Sequence, residues 1–174
     1  MIPDQVRGGA PLIVTATFAA VDHGWLEGLR RRHFPPERNK VPVHLTLFHH
    51  LAPSLDRELR DRLAELATYA TPHAEISGAM DLGQGTAFRV VSEELEAMRA
   101  ELAEAFRGML TPQDQAAWRP HVTIQNKVPR SEAIALQKEL QAGTFPRPLG
   151  IAGLASWRYV GGPWEPVRGY SFRG

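Results

Sequence analysis

The sequence predicts a mixed α/β or α+β domain made of two similar halves around one cleft. Its 174 residues suit a single domain, 1–174, and 43% hydrophobic against 22% charged residues is the balance of an ordinary globular protein. Predicted strands alternate with helices along the chain. The order strand, helix and then a strand that begins with histidine occurs twice, over 12–51 and over 86–128. This repetition predicts two pseudo-symmetric lobes whose histidine strands face each other.

The first half begins with a buried strand. Leu12–Phe18 is rich in β-branched residues, which favour strands. A helix is predicted over 22–32 with Asp22 as a possible N-cap, and an alternating pattern predicts a second strand over 43–51. Leucines at helical spacing then predict a helix over 54–70.

The second half continues with elements of the same kinds. Two strands are predicted over 74–82 and Thr86–Val91, and Ser92 is predicted to cap the helix that follows. A loop is expected around Pro112. The remaining predicted elements are a strand over 121–128, a helix from Ser131 to about Gln141, a strand over 151–160 and an edge segment over 164–172.

Composition and charge exclude several classes of function. The absence of cysteine excludes thiolate chemistry, zinc–thiolate sites and disulfides, and it is compatible with the expected cytoplasmic location. A formal net charge of +1 excludes a protein that coats nucleic acid through bulk electrostatics. No apolar run approaches the roughly 20 residues that span a bilayer, so no membrane partner is expected. The basic stretch 30–40 is either a solvated helix end or a rim that attracts an anionic substrate.

Two short motifs have the same pattern. HLTL at 44–47 and HVTI at 121–124 both read histidine, apolar, threonine, apolar, and both fall on predicted strands. Residues i and i+2 of a strand point to the same face, about 6.6 Å apart. Each histidine therefore projects with its threonine, while the apolar residues pack behind them. This pattern predicts the floor of a cleft.

The paired motifs suit the hydrolysis of a phosphate ester. His44 and His121 can serve as acid and base at neutral pH, because the unperturbed pKa of histidine is about 6.5. The hydroxyls of Thr46 and Thr123 can donate hydrogen bonds to phosphate oxygens, on which charge grows in the transition state. Neither a metal nor a cofactor is required.

The chain resembles the 2H phosphoesterase superfamily, which contains the 2′-5′ RNA ligase-like proteins and cyclic phosphodiesterases. HLTL at 44–47 and HVTI at 121–124 are the basis of this resemblance, and their separation of 77 residues also suits that family. The resemblance implies a bilobal α+β fold of duplicated strand–helix–strand units, with two antiparallel-type sheets facing a central cleft. It also implies that the two threonines bind phosphate, with His121 as base and His44 as acid in hydrolysis.

The activity expected from this resemblance is metal-independent hydrolysis of a 2′,3′-cyclic phosphodiester in RNA ends or small nucleotides. The alternatives are 2′-5′ RNA ligation and a non-catalytic module that binds nucleotides or RNA ends. The basic stretch 30–40 and the aromatic C-terminal region favour the binding module. We expect a monomer.

Three further residues are candidates for substrate binding. Phe48 is expected on the face of His44, where it either stacks a base or forms a packed wall of the cleft. Gln125 is expected on the face of His121, beyond the phosphate. Arg119 lies two residues before the second motif and could reach the phosphate.

The neighbouring histidines do not suggest a metal site. The rise along a strand is about 3.3 Å per residue, which separates His44 from His49 and His50 by far more than one ion can bridge. We therefore expect no metal ligands.

Overall fold

The computed structural model describes residues 9–174, which form two four-stranded antiparallel sheets and five α-helices. The first sheet has the order β2-β1-β7-β8, with β1 at Leu12–Phe18, β2 at Leu45–Leu51, β7 at Ile151–Arg158 and β8 at Glu165–Ser171. The second has the order β5-β4-β3-β6, with β3 at Ala74–Asp81, β4 at Thr86–Val91, β5 at His121–Gln125 and β6 at Arg147–Leu149. The helices are α1 (Ala20–His33), α2 (Asp56–Leu66), α3 (Glu93–Ala105), α4 (Pro112–Gln115) and α5 (Arg130–Gln141). This architecture confirms the α+β prediction with two antiparallel sheets.

The two halves of the chain exchange strands. β3 follows the first motif strand but joins the second sheet beside β4, while β7 follows the second motif strand but joins the first sheet beside β1. The motif strands β2 and β5 remain as edge strands of their sheets. Neither half of the chain forms a complete sheet alone, because each sheet contains strands from both halves. The two halves therefore form a single structure.

A single hydrophobic core extends across both sheets. Leu12 and Val14 of β1 are fully buried, and Leu63 of α2 and Leu102 of α3 belong to the same cluster. Burying one such leucine side chain contributes about 1.5–3 kcal/mol. The core therefore fixes the position of one motif strand relative to the other.

Local hydrogen bonds explain where two helices begin. The hydroxyl of Ser92 accepts a hydrogen bond of 3.2 Å from the Leu95 N–H, which confirms the predicted N-cap of α3. Asp22 does not cap α1, which begins at Ala20. Its carboxylate instead accepts a hydrogen bond of 2.7 Å from the Gly150 N–H, so it anchors the helix to the start of β7.

Membrane-spanning helices are absent from residues 9–174, since none of the helices there is both long and apolar enough to cross a bilayer.

Candidate active site

β2 contains an extra residue directly after its threonine. Thr46 lies opposite Thr15 on β1, whereas Phe48 lies opposite Val14, so two steps along β2 match one step along β1. Such a β-bulge turns the following side chain to the other face of the sheet. Phe48 is consequently 0% exposed in the core. The prediction that Phe48 binds substrate from the cleft is therefore wrong.

β5 contains a bulge at the equivalent place. Thr123 lies opposite Ala87 on β4, whereas Gln125 lies opposite Thr86, whose hydroxyl donates a hydrogen bond to a carbonyl of α5. Gln125 therefore shares the helix-covered face of the sheet and is 5% exposed. The prediction that Gln125 shares the cleft face of His121 is wrong for the same reason. Its Oε1 is buried without a hydrogen-bond partner in the described part of the chain.

The two motif histidines are oriented in the same way. Nδ1 of His44 lies 2.7 Å from the carbonyl oxygen of Pro42, and Nδ1 of His121 lies 2.6 Å from that of Arg119. A carbonyl oxygen can only accept, so Nδ1 of each ring carries the hydrogen. In the neutral form of each ring, Nε2 is then the atom that can accept a proton.

The surroundings of His44 disfavour its charged form. Burial lowers the pKa of His44 to about 4, and the nearby positive groups of Arg30, His49 and His121 act in the same direction. The hydrogen bond to the Pro42 carbonyl opposes this shift only in part. The ring is neutral at pH 7.

An aromatic residue of the β7–β8 connection covers one side of the first histidine. The ring centroids of Trp164 and His44 lie 4.5 Å apart, and Trp157 lies 6.1 Å behind Trp164. The indole N–H of Trp157 donates a hydrogen bond of 3.0 Å to the hydroxyl of Thr15. The first sheet therefore gives the site one aromatic wall.

The second histidine has a basic environment. Burial lowers the pKa of His121, and the positive groups of His49, Arg119 and Arg89 lower it further, against the hydrogen bond to the Arg119 carbonyl. Arg89 lies directly opposite His121 in the sheet and is exposed. Cations that disfavour a protonated histidine are also suited to attract a phosphate group.

Side chains of helix α1 form hydrogen bonds with the main chain at both motifs. The carboxylate of Glu27 accepts a hydrogen bond of 2.8 Å from the N–H of Val43, the residue before the first histidine. Nη1 of Arg30 donates a hydrogen bond of 3.0 Å to the carbonyl of Thr123 in the second motif. Arg30 is 5% exposed and also donates to Asn39, so it does not belong to a basic rim. The remaining cations of the stretch 30–40, which are Arg31, Arg32, Arg38 and Lys40, are exposed.

Side chains from the second half cover the outer edge of β2. Nε of Arg99 on α3 donates a hydrogen bond of 3.1 Å to the carbonyl of Leu47, and the indole N–H of Trp118 donates one of 3.0 Å to that of Thr46. An edge strand otherwise leaves such groups unpaired. The first motif is thus fixed on both sides, by β1 and by these two side chains.

A cavity of about 140 Å³ opens beside the second histidine. Its walls include Thr46, His49, Trp118, Arg119 and His121. Arg119 therefore lies beside His121 at this cavity, and its contact with a phosphate stays a prediction.

A model of a known protein family matches most of the chain. The model of the 2′-5′ RNA ligase superfamily matches residues 19–163, which include both histidine motifs. The chain belongs to the 2′-5′ RNA ligase superfamily. A comparison of the sequence with curated proteins gave no match.

Solved structures resemble this superfamily member over nearly their whole length. E. coli LigT complexed with 3′-AMP has a TM-score of 0.60 at 17% identity, covering 95% of this chain and 99% of LigT. The protein TT0787 of Thermus thermophilus has a TM-score of 0.61 at 18% identity, covering 94% and 98%. A phosphoesterase matches with a TM-score of 0.53 at 18% identity, covering 95% and 99%. These neighbours confirm the fold, and with the family model they confirm the resemblance to the 2H phosphoesterases.

The sequence reasoning missed one cleft residue of this superfamily member. The bulge at Leu47 turns His49 to the cleft side, although a regular strand would place it on the opposite face. His49 is held by Asp114 of α4, a helix that lies where the sequence predicts a loop. In the sequence, a role for His49 is indicated only by the pair of histidines that follows the first motif. No group of three or more histidine, aspartate or glutamate side chains suited to a metal ion comes together within residues 9–174.

Proposed function

We propose that this protein is an enzyme that hydrolyses a 2′,3′-cyclic phosphodiester, in RNA ends or small nucleotides, without a metal ion. The observation that supports the proposal is the matched orientation of His44 and His121. Each Nδ1 faces the carbonyl two residues upstream, which leaves Nε2 for proton transfer. Two such groups meet the needs of the reaction, which requires one base and one acid.

The proposed reaction proceeds by in-line attack of water on phosphorus. Nε2 of His121 takes a proton from the water as its oxygen bonds to phosphorus. In the reactive complex the phosphate anion favours the protonated form of His44, which is neutral in the free protein at pH 7. His44 then gives its proton to the ribose oxygen that leaves. The products are a phosphate monoester and a free ribose hydroxyl, with the protonation states of the histidines exchanged.

The threonines have a separate role in this proposal. As the ring opens, negative charge grows on the phosphate oxygens that do not bridge to ribose. Thr46 and Thr123 lie two residues after the histidines, before each bulge, and their hydroxyls donate hydrogen bonds to these oxygens. Arg119 adds a positive charge beside them.

The relatives support a nucleotide as the substrate. Crystal structures of E. coli LigT contain 3′-AMP, NADP+, ATP or phosphate. We extend nucleotide binding from that protein to this chain. We also propose that residues 1–174 act as one domain with two pseudo-symmetric halves, since the bulges and the exchanged strands occur in both.

The second candidate is 2′-5′ RNA ligation, which the family description favours. In ligation the 5′-hydroxyl of a second RNA end takes the place of water and attacks the cyclic phosphorus. The same ribose oxygen leaves, so the same base and acid would serve. The two activities separate when wild-type protein receives RNA with 5′-hydroxyl and 2′,3′-cyclic phosphate ends together.

A substrate panel tests the proposed function. Wild-type protein should open 2′,3′-cyclic nucleotides and cyclic RNA ends equally well with and without EDTA. Loss of turnover on chelation, with recovery on adding zinc or magnesium, would contradict the metal-free mechanism. Ligated product without hydrolysis would favour the second candidate.

A further inference from the structure

We infer that the cavity beside His121 is a subsite for a second phosphate group of the substrate, with His49 as the residue that binds this group. This inference rests on the proposed function and names a substrate class for it. The preferred substrate would be a nucleotide whose 2′,3′-cyclic phosphate is accompanied by a 5′-phosphate, as at the 3′ end of an RNA chain.

His49 lies on the cleft side of β2, three residues beyond Thr46. It lines the same cavity as Thr46 and His121 of the proposed reaction centre, so a second phosphate bound by His49 would lie next to the reacting one. The His49 side chain is 41% exposed, so a ligand can reach it. The proposed catalytic mechanism gives this histidine no role.

A buried carboxylate, that of Asp114, contacts His49. The side chain of Asp114 is 0% exposed, and its two oxygens accept hydrogen bonds of 2.9 Å from the N–H groups of His49 and His50. Burial works to raise the pKa of the Asp114 carboxyl, but the hydrogen bonds from the His49 side chain and both N–H groups hold it below its usual value. This buried carboxylate is therefore ionised.

The carboxylate orients the histidine ring. Nδ1 of His49 lies 3.3 Å from Oδ1 of Asp114, which accepts its hydrogen and leaves Nε2 as the other functional atom of the ring. An imidazole that donates a hydrogen from both nitrogens can bridge the Asp114 carboxylate and an anion in the cavity. Nε2 then donates a charge-assisted hydrogen bond.

Positively charged side chains line the cavity. Arg119 and Arg99 line it, and Asp114 is the one acidic residue of the described chain among its walls. That carboxylate already accepts hydrogen bonds from the N–H groups of His49 and His50. The charged side chains around this cavity of about 140 Å³ suit an anionic group and disfavour a cationic one.

The test compares two substrates that differ by one group, adenosine 2′,3′-cyclic phosphate and the same nucleotide with an added 5′-phosphate. We expect wild-type protein to have a KM about tenfold lower for the 5′-phosphorylated substrate, the effect of one charge-assisted hydrogen bond. In His49→Ala this advantage should disappear. The readout is the ratio of the KM values for the two substrates within each variant, because His49 also acts on the pKa values of His44 and His121 and its loss can change kcat on both substrates alike. His49→Lys, which supplies a cationic donor, should recover part of the advantage.

His50→Ala is the matched control, because His50 is an exposed neighbour whose side chain does not line the cavity. It should keep the wild-type preference. Equal KM values for the two substrates in wild type, or an undiminished preference in His49→Ala, would overturn the subsite while leaving the proposed function intact. If wild type turns over neither substrate, the proposed function fails. Calorimetric binding of the 5′-phosphorylated nucleotide to wild type and His49→Ala then decides the subsite separately, and equal affinities would overturn it.

Discussion

Nη1 of Arg30 lies 3.0 Å from the carbonyl oxygen of Thr123, although 93 residues separate the two in sequence. The helix that leads to the first motif therefore holds the main chain of the second motif. Arg99, on the helix that leads to the second motif, binds the carbonyl of Leu47 in the first. The two motifs are thus connected to each other by buried or partly buried arginines as well as by the core.

The contact between Arg30 and Thr123 predicts a loss of stability when it is removed. Arg30→Met keeps an apolar stem but leaves the Thr123 carbonyl without its donor, which should lower the free energy of unfolding by about 1–3 kcal/mol. Activity should fall as well, because Thr123 is one of the proposed phosphate ligands. Arg31→Met on the same helix is the control, since Arg31 is exposed. Urea unfolding of both variants measures the difference, and equal stabilities would contradict the role of Arg30.

The orientation of Gln125 predicts a variant that does not affect the reaction. Gln125→Met removes a buried oxygen that has no partner in the described chain, so stability should stay the same or rise. Because Gln125 faces the helices instead of the cleft, kcat and KM should remain at wild-type values. An increase of KM by about tenfold in a correctly folded variant would contradict this prediction, because it would mean that the Gln125 side chain contacts the substrate.

Local patterns were sufficient to predict most elements and both histidine–threonine pairs. Strand alternation and helical spacing depend on residues close in sequence, and β1, β4 and the N-cap of α3 were predicted for this reason. The directions in which the Phe48 and Gln125 side chains point could not be predicted in this way. A bulge is a mismatch between two paired strands, so it depends on the partner strand as much as on the motif.

Long-range relationships account for the other differences. His49 meets Asp114 across 65 residues, and the short helix that contains Asp114 has too few residues for a periodic pattern. Arg30 lies in a basic stretch that suggests a solvated surface, yet its partner Thr123 belongs to the other half of the chain. The exchange of β3 and β7 between the sheets likewise depends on global topology.

The depressed pKa values of both histidines predict an acidic optimum of kcat/KM. The proposed reaction needs His44 protonated and His121 neutral. The alternative form, with the proton on His121, carries the same number of protons, so the ratio of the two forms does not change with pH. Above the higher of the two pKa values both rings are neutral and the acid is lost, and below the lower one both are protonated and the base is lost. The pKa of His44 is about 4 and that of His121 is lowered from 6.5. The bell-shaped profile should therefore have its maximum between about pH 4 and 6.5, and a maximum above about pH 7 would contradict these pKa shifts.

The contact between Trp164 and His44 predicts a shift in titration. Trp164→Ala opens one side of the ring to water, so the pKa of His44 should rise from about 4 toward 6.5. The ring protons of His44 report this directly in an NMR titration. Tyr159→Ala in the same connection is the control, because Tyr159 is 49% exposed. An unchanged pKa in Trp164→Ala would mean that other groups exclude water from His44.

The central claim is that His44 and His121 are the acid and base of a phosphodiesterase. The most direct measurement is the turnover of a 2′,3′-cyclic nucleotide by His44→Ala, His121→Ala and the control His23→Ala, with nucleotide affinity measured on the same proteins. His23 is an exposed histidine on α1. We predict that kcat falls by about 10²- to 10⁴-fold in each motif variant, while both still bind the nucleotide and the control is unaffected. Wild-type turnover in either motif variant, or binding by wild type without any turnover, would contradict the two-histidine mechanism.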